Sequence, residues 1–317
     1  MSHNKNAFQL MQELLDMPEF QIHSSIQELN TSIYIFEENY NDLRRLVNFL
    51  AVDSRSEHLL LLRNRHKLKS VLTDIIRLLH NYVAAAQSLI DHTRRLNRKL
   101  NSNSEKFAEY NTRVEIEFVK DSLSQFVKDL RQYCQHYRAP NLEITVRTSD
   151  KTGGATKTIN LLTDDLRSYE RWSPLAKEYL NTAGEKVNIM EVATAYKAKV
   201  IRFYDWFRFH IETIHAVELR RLKDKEQLYL EARLRDEIFY ISAERKQGFQ
   251  QKTEKALLAV LDSEDFEELD RIPIDFDRRA IRAIELIERH MVLPQEFKQI
   301  ITDLYREENT WFTAKKS

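Results

Sequence analysis

Apolar side chains recur three and four residues apart through most of this chain, and very little in it would interrupt a helix. Between residues 24 and 51, Ile26, Leu29, Ile33, Phe36, Tyr40, Leu43, Leu46 and Val47 keep that spacing, which is the period of one buried helical face. The 317 residues include only 4 Gly and 5 Pro, so turns are few and a mainly α fold is expected. With 42% hydrophobic residues against 31% charged, the chain has the apolar material for a core and is not disordered.

The same period places the elements. Residues 1–23 predict a short helix around Phe8–Met17, and Ser24 or Ser25, with Gln27 or Glu28 three residues on, would cap the next. Residues 56–101 read as one long helical stretch whose second half is nearly all apolar or small, hence central and buried. Ala84–Ala86 would let neighbours approach closely there. Ser102 with Glu105 has capping-box spacing, and a third helix is expected over 114–137, with Phe118, Leu123, Phe126, Val127 and Leu130 on its core face and Pro140 beyond its end.

After Pro140 the period drops to two. Residues 142–148 alternate Leu, Ile and Val with Glu, Thr and Arg, and a second alternating run follows Gly153–Gly154, predicting a β-hairpin. Helices then resume: one over 163–172, one opened by Ser173 and Pro174, and a very long one over 189–241 behind Asn188 and Glu191. The aromatic first half of that helix would lie on the bundle, while its charged second half would project or pair with another chain. An acidic linker and two or three short helices close the chain. The expected organisation is a helical bundle (1–140), a hairpin (141–162) and a C-terminal helical region (163–317) that could join the first as one domain.

Charge narrows the partners. Forty-nine basic and 49 acidic residues cancel, so no global field draws the chain to nucleic acid or to a membrane. A local excess does exist: residues 55–100 hold ten Lys and Arg against three Asp and Glu, and Arg94 and Arg95 belong to this stretch. It is the best candidate for a phosphate-tracking surface, although solvated helix ends would look the same. The lone cysteine, Cys134, excludes an internal disulfide and suits a reducing cytoplasm. Residues 1–17 lack a basic segment followed by a long apolar one, so no signal peptide is expected, and the weakly polar run 78–90 is too short to span a bilayer.

One stretch combines residue types that carry chemistry. In "FVKDLRQYCQHYRAP" (126–140), Arg131 precedes His136 with four residues between them, at the end of the predicted third helix. Arg131, Gln132, Gln135 and His136 form a polar patch where Phe126, Val127 and Leu130 have just defined the core face, and Tyr133, Cys134 and Tyr137 flank it. Arg and His near a helix C-terminus also serve the dipole alone, and Arg208 with His215 repeats the pattern elsewhere.

Taken with "LLHNYVAAAQSLIDHTRR" (78–95), this stretch resembles proteins of the HEPN superfamily, of the bacterial defence and toxin type. Their signature is arginine, four to six residues, then histidine near a helix end. The likeness covers about residues 25–140. It implies a HEPN-like bundle, a homodimer that brings two motifs into one composite site, and cleavage of RNA without a metal ion or other cofactor. His136 would handle protons and Arg131 would hold the phosphate charge. Gln132, Tyr133 and Arg138 would touch RNA. A toxin or anti-phage effector of this kind would answer to an antitoxin or defence-system partner.

On the central helix, His80 and Asp91 would either orient the motif or be satisfied core polar groups, and the second is favoured slightly. Metal-ligand spacings are lacking, and Gly153–Gly154 lead into a strand rather than a phosphate loop. Cys134 and His136, two apart on a helix, point in different directions and make no nucleophilic pair. The competing class is a non-catalytic helical protein that keeps the bundle for dimerisation or partner binding.

Overall fold

The computed structural model describes residues 5–100, 107, 109–148, 155–272 and 275–314. It is mainly helical, with one small antiparallel sheet. The chain divides into two compact units, Ser24–Ile214 and a second made of Met1–His23 with His215–Ser317. The boundaries between these units fall at 23/24 and 214/215.

Two helices open the chain. Asn6 caps α1 (Ala7–Asp16), its side chain accepting from Gln9 N–H while the Gln9 side chain accepts from Asn6 N–H. The next helix, α2 (Pro18–Val52), starts earlier than the serines suggest. Pro18 at its first position is preset for helix, so Ser24 and Ser25 lie inside the helix and cap nothing. In the first unit α2 meets α3 (Arg65–Leu100) and α8 (Ile189–Ile214) around a stack of aromatic rings. Phe36 and Tyr82 are buried with ring centroids 5.2 Å apart, the Tyr82 hydroxyl donates to Ala193 O at 2.9 Å, and the Tyr40 hydroxyl meets Thr194 Oγ1 at 3.0 Å.

Residues 54–64 are two 3-10 turns, not the start of α3. Asp53 accepts Arg55 N–H and so begins a separate local element. The predicted helix over 114–137 is likewise divided. A short α4 (Glu109–Val114) runs into a π turn (Glu115–Val119), and α5 (Ser122–His136) restarts behind a new cap, Asp121, which accepts Ser124 N–H at 2.8 Å. The Ser102–Glu105 cap lies outside the described residues, as does the Gly153–Gly154 turn.

The two strands of the hairpin, β1 (Leu142–Thr148) and β2 (Ala155–Leu162), pair antiparallel with Ile144 opposite Ile159. A third strand, β3 (Lys186–Asn188), pairs with β2 and sets Val187 opposite Leu161. Between them lie α6 (Thr163–Arg167) and α7 (Pro174–Thr182). Ser173 caps α7 as expected, and Pro174 takes its first turn. Asn188 caps α8 by accepting from Met190 and Glu191 N–H.

The single long helix over 189–241 does not form. It breaks at His215 into α8 and α9 (Ala216–Lys246). Just before the break the Thr213 hydroxyl donates back to Phe209 O at 2.7 Å, a bond that bends helices. Nor does the charged half project: α9 buries Leu222, Ala232, Leu234, Ile238 and Ile241. It is the spine of the second unit, with α10 (Glu254–Leu257), α11 (Ser263–Asp270), α12 (Phe276–His290) and α13 (Gln295–Ala314). Leu257, Leu286, Ile287, Ile301 and Tyr305 complete that core. The buried Arg245 guanidinium crosses it, reaching Gln251 O, Leu304 O and Thr253 Oγ1 at 2.8–3.0 Å and Glu308 at 3.6 Å. Among the described residues no helix is long and apolar enough to cross a membrane.

Candidate functional site

The end of α5 is held on one side by aromatic packing. Phe126, Val127, Leu130 and Tyr133 are buried, and Phe126 stacks on Trp172 and Tyr179 at 5.5 and 4.7 Å between centroids. Asp129 is buried too, and its carboxylate accepts Ser173 N–H at 2.7 Å, tying α5 to the start of α7. At the other end of α5 Asp121 pairs with Lys199 at 2.5 Å. Such a helix has little freedom to turn about its axis.

Beyond His136 the chain reverses, and Arg138 fixes the reversal. Its guanidinium donates to the Tyr133 hydroxyl at 2.8 Å, to Asp165 O at 3.1 Å and to Ser168 Oγ at 3.0 Å, and forms an ion pair with the Asp165 carboxylate. Tyr133 donates in turn to Asp165 at 3.3 Å. These two expected RNA contacts are therefore parts of the scaffold. Tyr133 is fully buried and offers no ring face to a base, while Arg138 commits its Nε and one terminal nitrogen to its own chain.

The opposite flank of α5 is different. Arg131, Gln132 and Gln135 are half-buried and His136 is exposed. None of the four side chains takes part in a hydrogen bond or ion pair among the described residues. The Arg131 Nε is buried and has no acceptor. Arg131 and His136 do not bond each other; at about 100° and 1.5 Å per residue they stand roughly 140° apart around the helix and about 7.5 Å apart along it. One chain thus presents a free guanidinium and a free imidazole without assembling them into a pair.

The remaining expected residues lie on α3. Asp91 is exposed and accepts from Gln87 at 3.1 Å, with Arg94 at 3.7 Å. Arg95, also exposed, reaches Glu28 at 3.4 Å. His80 is half-buried. No hydrogen bond joins His80 or Asp91 to Arg131 or His136 among the described residues, so the structure gives neither an orienting contact to the motif. Burial pushes the Cys134 thiol up to about 12, far above where a thiolate would form at neutral pH.

Two groupings escaped the sequence reading. The first is a cavity beside α5 with Arg94 and Lys128 at its mouth; its walls come from four segments, so only folding assembles it. The second, in the other unit, gathers Asp262, Asp265 and His290 with donor atoms within 4.8 Å, metal-capable residue types. Their capacity is already used. Asp262 caps α11, Asp265 accepts from Asp262 N–H and from His290 Nε2 at 2.5 Å, and Arg289 stands 3.3 Å from Asp265. Burial raises the Asp265 carboxyl, but the bonds from His290 and the Asp262 amide outweigh it and hold the group below its ordinary range. The local cation is Arg289, and the cluster joins α11 to α12. Compared with known proteins, the chain matches no family model, no curated protein and no solved structure.

Proposed function

We propose that this protein is a metal-independent endoribonuclease of HEPN type, acting as a homodimer whose two α5 ends meet to form one composite site. The observation that carries this reading is Arg131: a half-buried guanidinium whose Nε is shut from water with no acceptor among the described residues. A buried donor left unmade costs free energy, and an anion seated beside it would remove that cost. His136, exposed at the last turn of the same helix, supplies an imidazole.

In the proposed reaction a ribose 2′-hydroxyl loses its proton and attacks the adjacent phosphorus. The bond to the 5′-oxygen breaks, and that oxygen is protonated as it leaves. The products are a 2′,3′-cyclic phosphate and a 5′-hydroxyl, with no water or metal consumed. His136 of one or both copies moves the protons, and Arg131 neutralises the charge gathering on the phosphoryl oxygens. Gln132, next to Arg131 and without a hydrogen-bond partner among the described residues, would donate to the phosphate or a ribose. Arg94 and Arg95, exposed on α3, would extend the phosphate track. Regulation by an antitoxin or defence-system partner belongs to the same reading.

A second reading rests on the roughly 140° between the two side chains around α5. If no second copy brings them together, the bundle is a non-catalytic interaction or dimerisation module. One experiment separates the two. Total cellular RNA is incubated with the protein and excess chelator, and the new ends are typed. Wild type is expected to leave cyclic phosphates, and His136→Ala and Arg131→Ala each to lower the rate at least ~100-fold, the low end for a lost proton-transfer group. Cleavage that survives in the double variant, or that needs a divalent ion, refutes the nuclease.

A further inference from the structure

The first unit holds a cavity of about 170 Å³ between α3, the α4–π segment, α5 and α8. Most of its lining is apolar, Leu89, Val114, Phe118 and Val200 among it, with Thr93, Tyr110 and Ser124 as polar members. That volume suits one six-membered aromatic ring, since apolar protein cavities of about 150 Å³ take benzene. Phe118 and Val119 reach it from the π turn, an irregularity frequent at functional sites.

The two ends of the cavity differ in chemistry. Deep inside are two buried tyrosines of α8, Tyr196 and Tyr204. The Tyr204 hydroxyl is bonded to Thr93 at 2.8 Å. Tyr196 is only 2% exposed, yet its hydroxyl has no hydrogen-bond partner among the described residues. Burial raises both phenols above their ordinary range, so each keeps its proton at neutral pH. The mouth is cationic. Arg94 and Lys128 are exposed there, beside Gln87 and Gln125. Among the described residues Arg94 is answered by Asp91, at 3.7 Å, which also accepts from Gln87, while the Lys128 ammonium has the Gln125 amide oxygen at 3.4 Å.

We propose that this cavity is a binding site for a small hydroxyaryl carboxylate, its ring between the apolar walls, its hydroxyl against Tyr196 and its carboxylate at Arg94 and Lys128. A neutral apolar guest would leave the Tyr196 proton unsatisfied and would gain nothing from the mouth. The site shares Arg94 with the proposed phosphate track, but Tyr196, Lys128 and the cavity walls play no part in the RNA-cleavage reading, so binding here can be found or lost whether or not the chain cleaves RNA.

Calorimetry on the full chain tests it with three probes: 4-hydroxyphenylacetate, phenylacetate, which lacks the hydroxyl, and 4-hydroxyphenylacetamide, which lacks the charge. 4-Hydroxyphenylacetate is expected to bind one per chain, and each of the others roughly 5–10-fold more weakly. Tyr196→Phe should erase the advantage of the hydroxyl, and Arg94→Gln with Lys128→Gln the advantage of the carboxylate. Val114→Phe, which fills the slot, should abolish binding while the helical circular dichroism stays unchanged. The proposal is overturned if 4-hydroxyphenylacetate shows no saturable binding to wild type up to 10 mM, or if the three probes bind alike. Equal binding by the slot-filled variant also overturns it. The probe comparison on wild type decides the matter even if a variant fails to fold.

Discussion

Replacing Arg131 with methionine separates a residue kept for chemistry from one kept for structure. Methionine preserves an unbranched apolar stem along α5 and removes the guanidinium. What the fold loses is no hydrogen bond and no ion pair, because the Arg131 side chain makes none among the described residues. What it sheds is a buried Nε–H without an acceptor, and such a group costs about 1–3 kcal/mol. Part of the guanidinium still reaches water, so the expected gain is toward the low end, about 1 kcal/mol. For a unit of 150–250 residues that corresponds to ~2–4 °C in melting temperature, and Ser24–Ile214 is of this size.

The assay is urea unfolding followed by tryptophan fluorescence, with Arg138→Met beside it. Arg138 donates to Tyr133, Asp165 and Ser168, so its loss should destabilise the same unit. Arg131→Met is thus expected to be at least as stable as wild type and inactive on RNA, the trade seen where a site is held at the expense of stability. A loss of 1 kcal/mol or more in Arg131→Met would refute the argument, because it would mean the guanidinium serves the fold.

Three further outcomes follow from the same contacts. Phe126→Ala empties a fully buried site between Trp172 and Tyr179 and should cost ~3–5 kcal/mol; Phe126→Leu keeps most of the volume and should cost less than half as much in the same urea titration. Cys134, its thiol raised to about 12 by burial, should react with iodoacetamide at pH 8 far more slowly than in urea, as read by mass spectrometry. In the second unit, bonds from Arg289 and Arg282 hold the Glu268 carboxyl down at about 2, and Asp265 is lowered as well. A depressed carboxyl stabilises the fold above its unfolded value, near 4.5, and that contribution fades as pH falls toward 2. Acid titration should therefore loosen α11 from α12 across that window, and Glu268→Gln should flatten the loss; a pH-independent second unit would contradict it.

Much of the framework could be read from the chain because its causes are local. The helical period of Phe126, Val127 and Leu130 depends on neighbours one turn away, and so do the Ser173–Pro174 start of α7 and the alternation that makes β1 and β2. The points that were missed depend on partners distant in sequence or on competing local bonds. Tyr133 looked like a polar aromatic at a pocket; its burial comes from Tyr169 and Trp172 and its hydroxyl's partner from Asp165, 32 residues on. Arg138 looked free for the same reason. The break at His215 has no Gly or Pro to announce it, only Thr213 bonding back to Phe209. Asp121 was legible in principle, as an Asp three residues before the Ser124 whose N–H it accepts; the apolar period across Phe118 and Leu123 concealed it. Strand β3, three residues long, is too short for any period.

The two flanks of α5 bear opposite loads, and this is why the polar flank invites a functional explanation. Phe126, Asp129, Tyr133 and the following Arg138 all commit their groups to neighbouring elements, which fixes the helix in rotation and in height. Arg131, Gln132, Gln135 and His136 ride on that rigid element and commit none among the described residues. Side chains on a fixed helix lose little further freedom when an external partner engages them, so binding there costs less than it would on a loop. Since about 140° of helix rotation divides Arg131 from His136, a phosphate could meet both only where a second surface closes over the helix end. A twofold axis at that end would supply one, setting each copy's imidazole against the other's guanidinium, and it asks for no movement of α5.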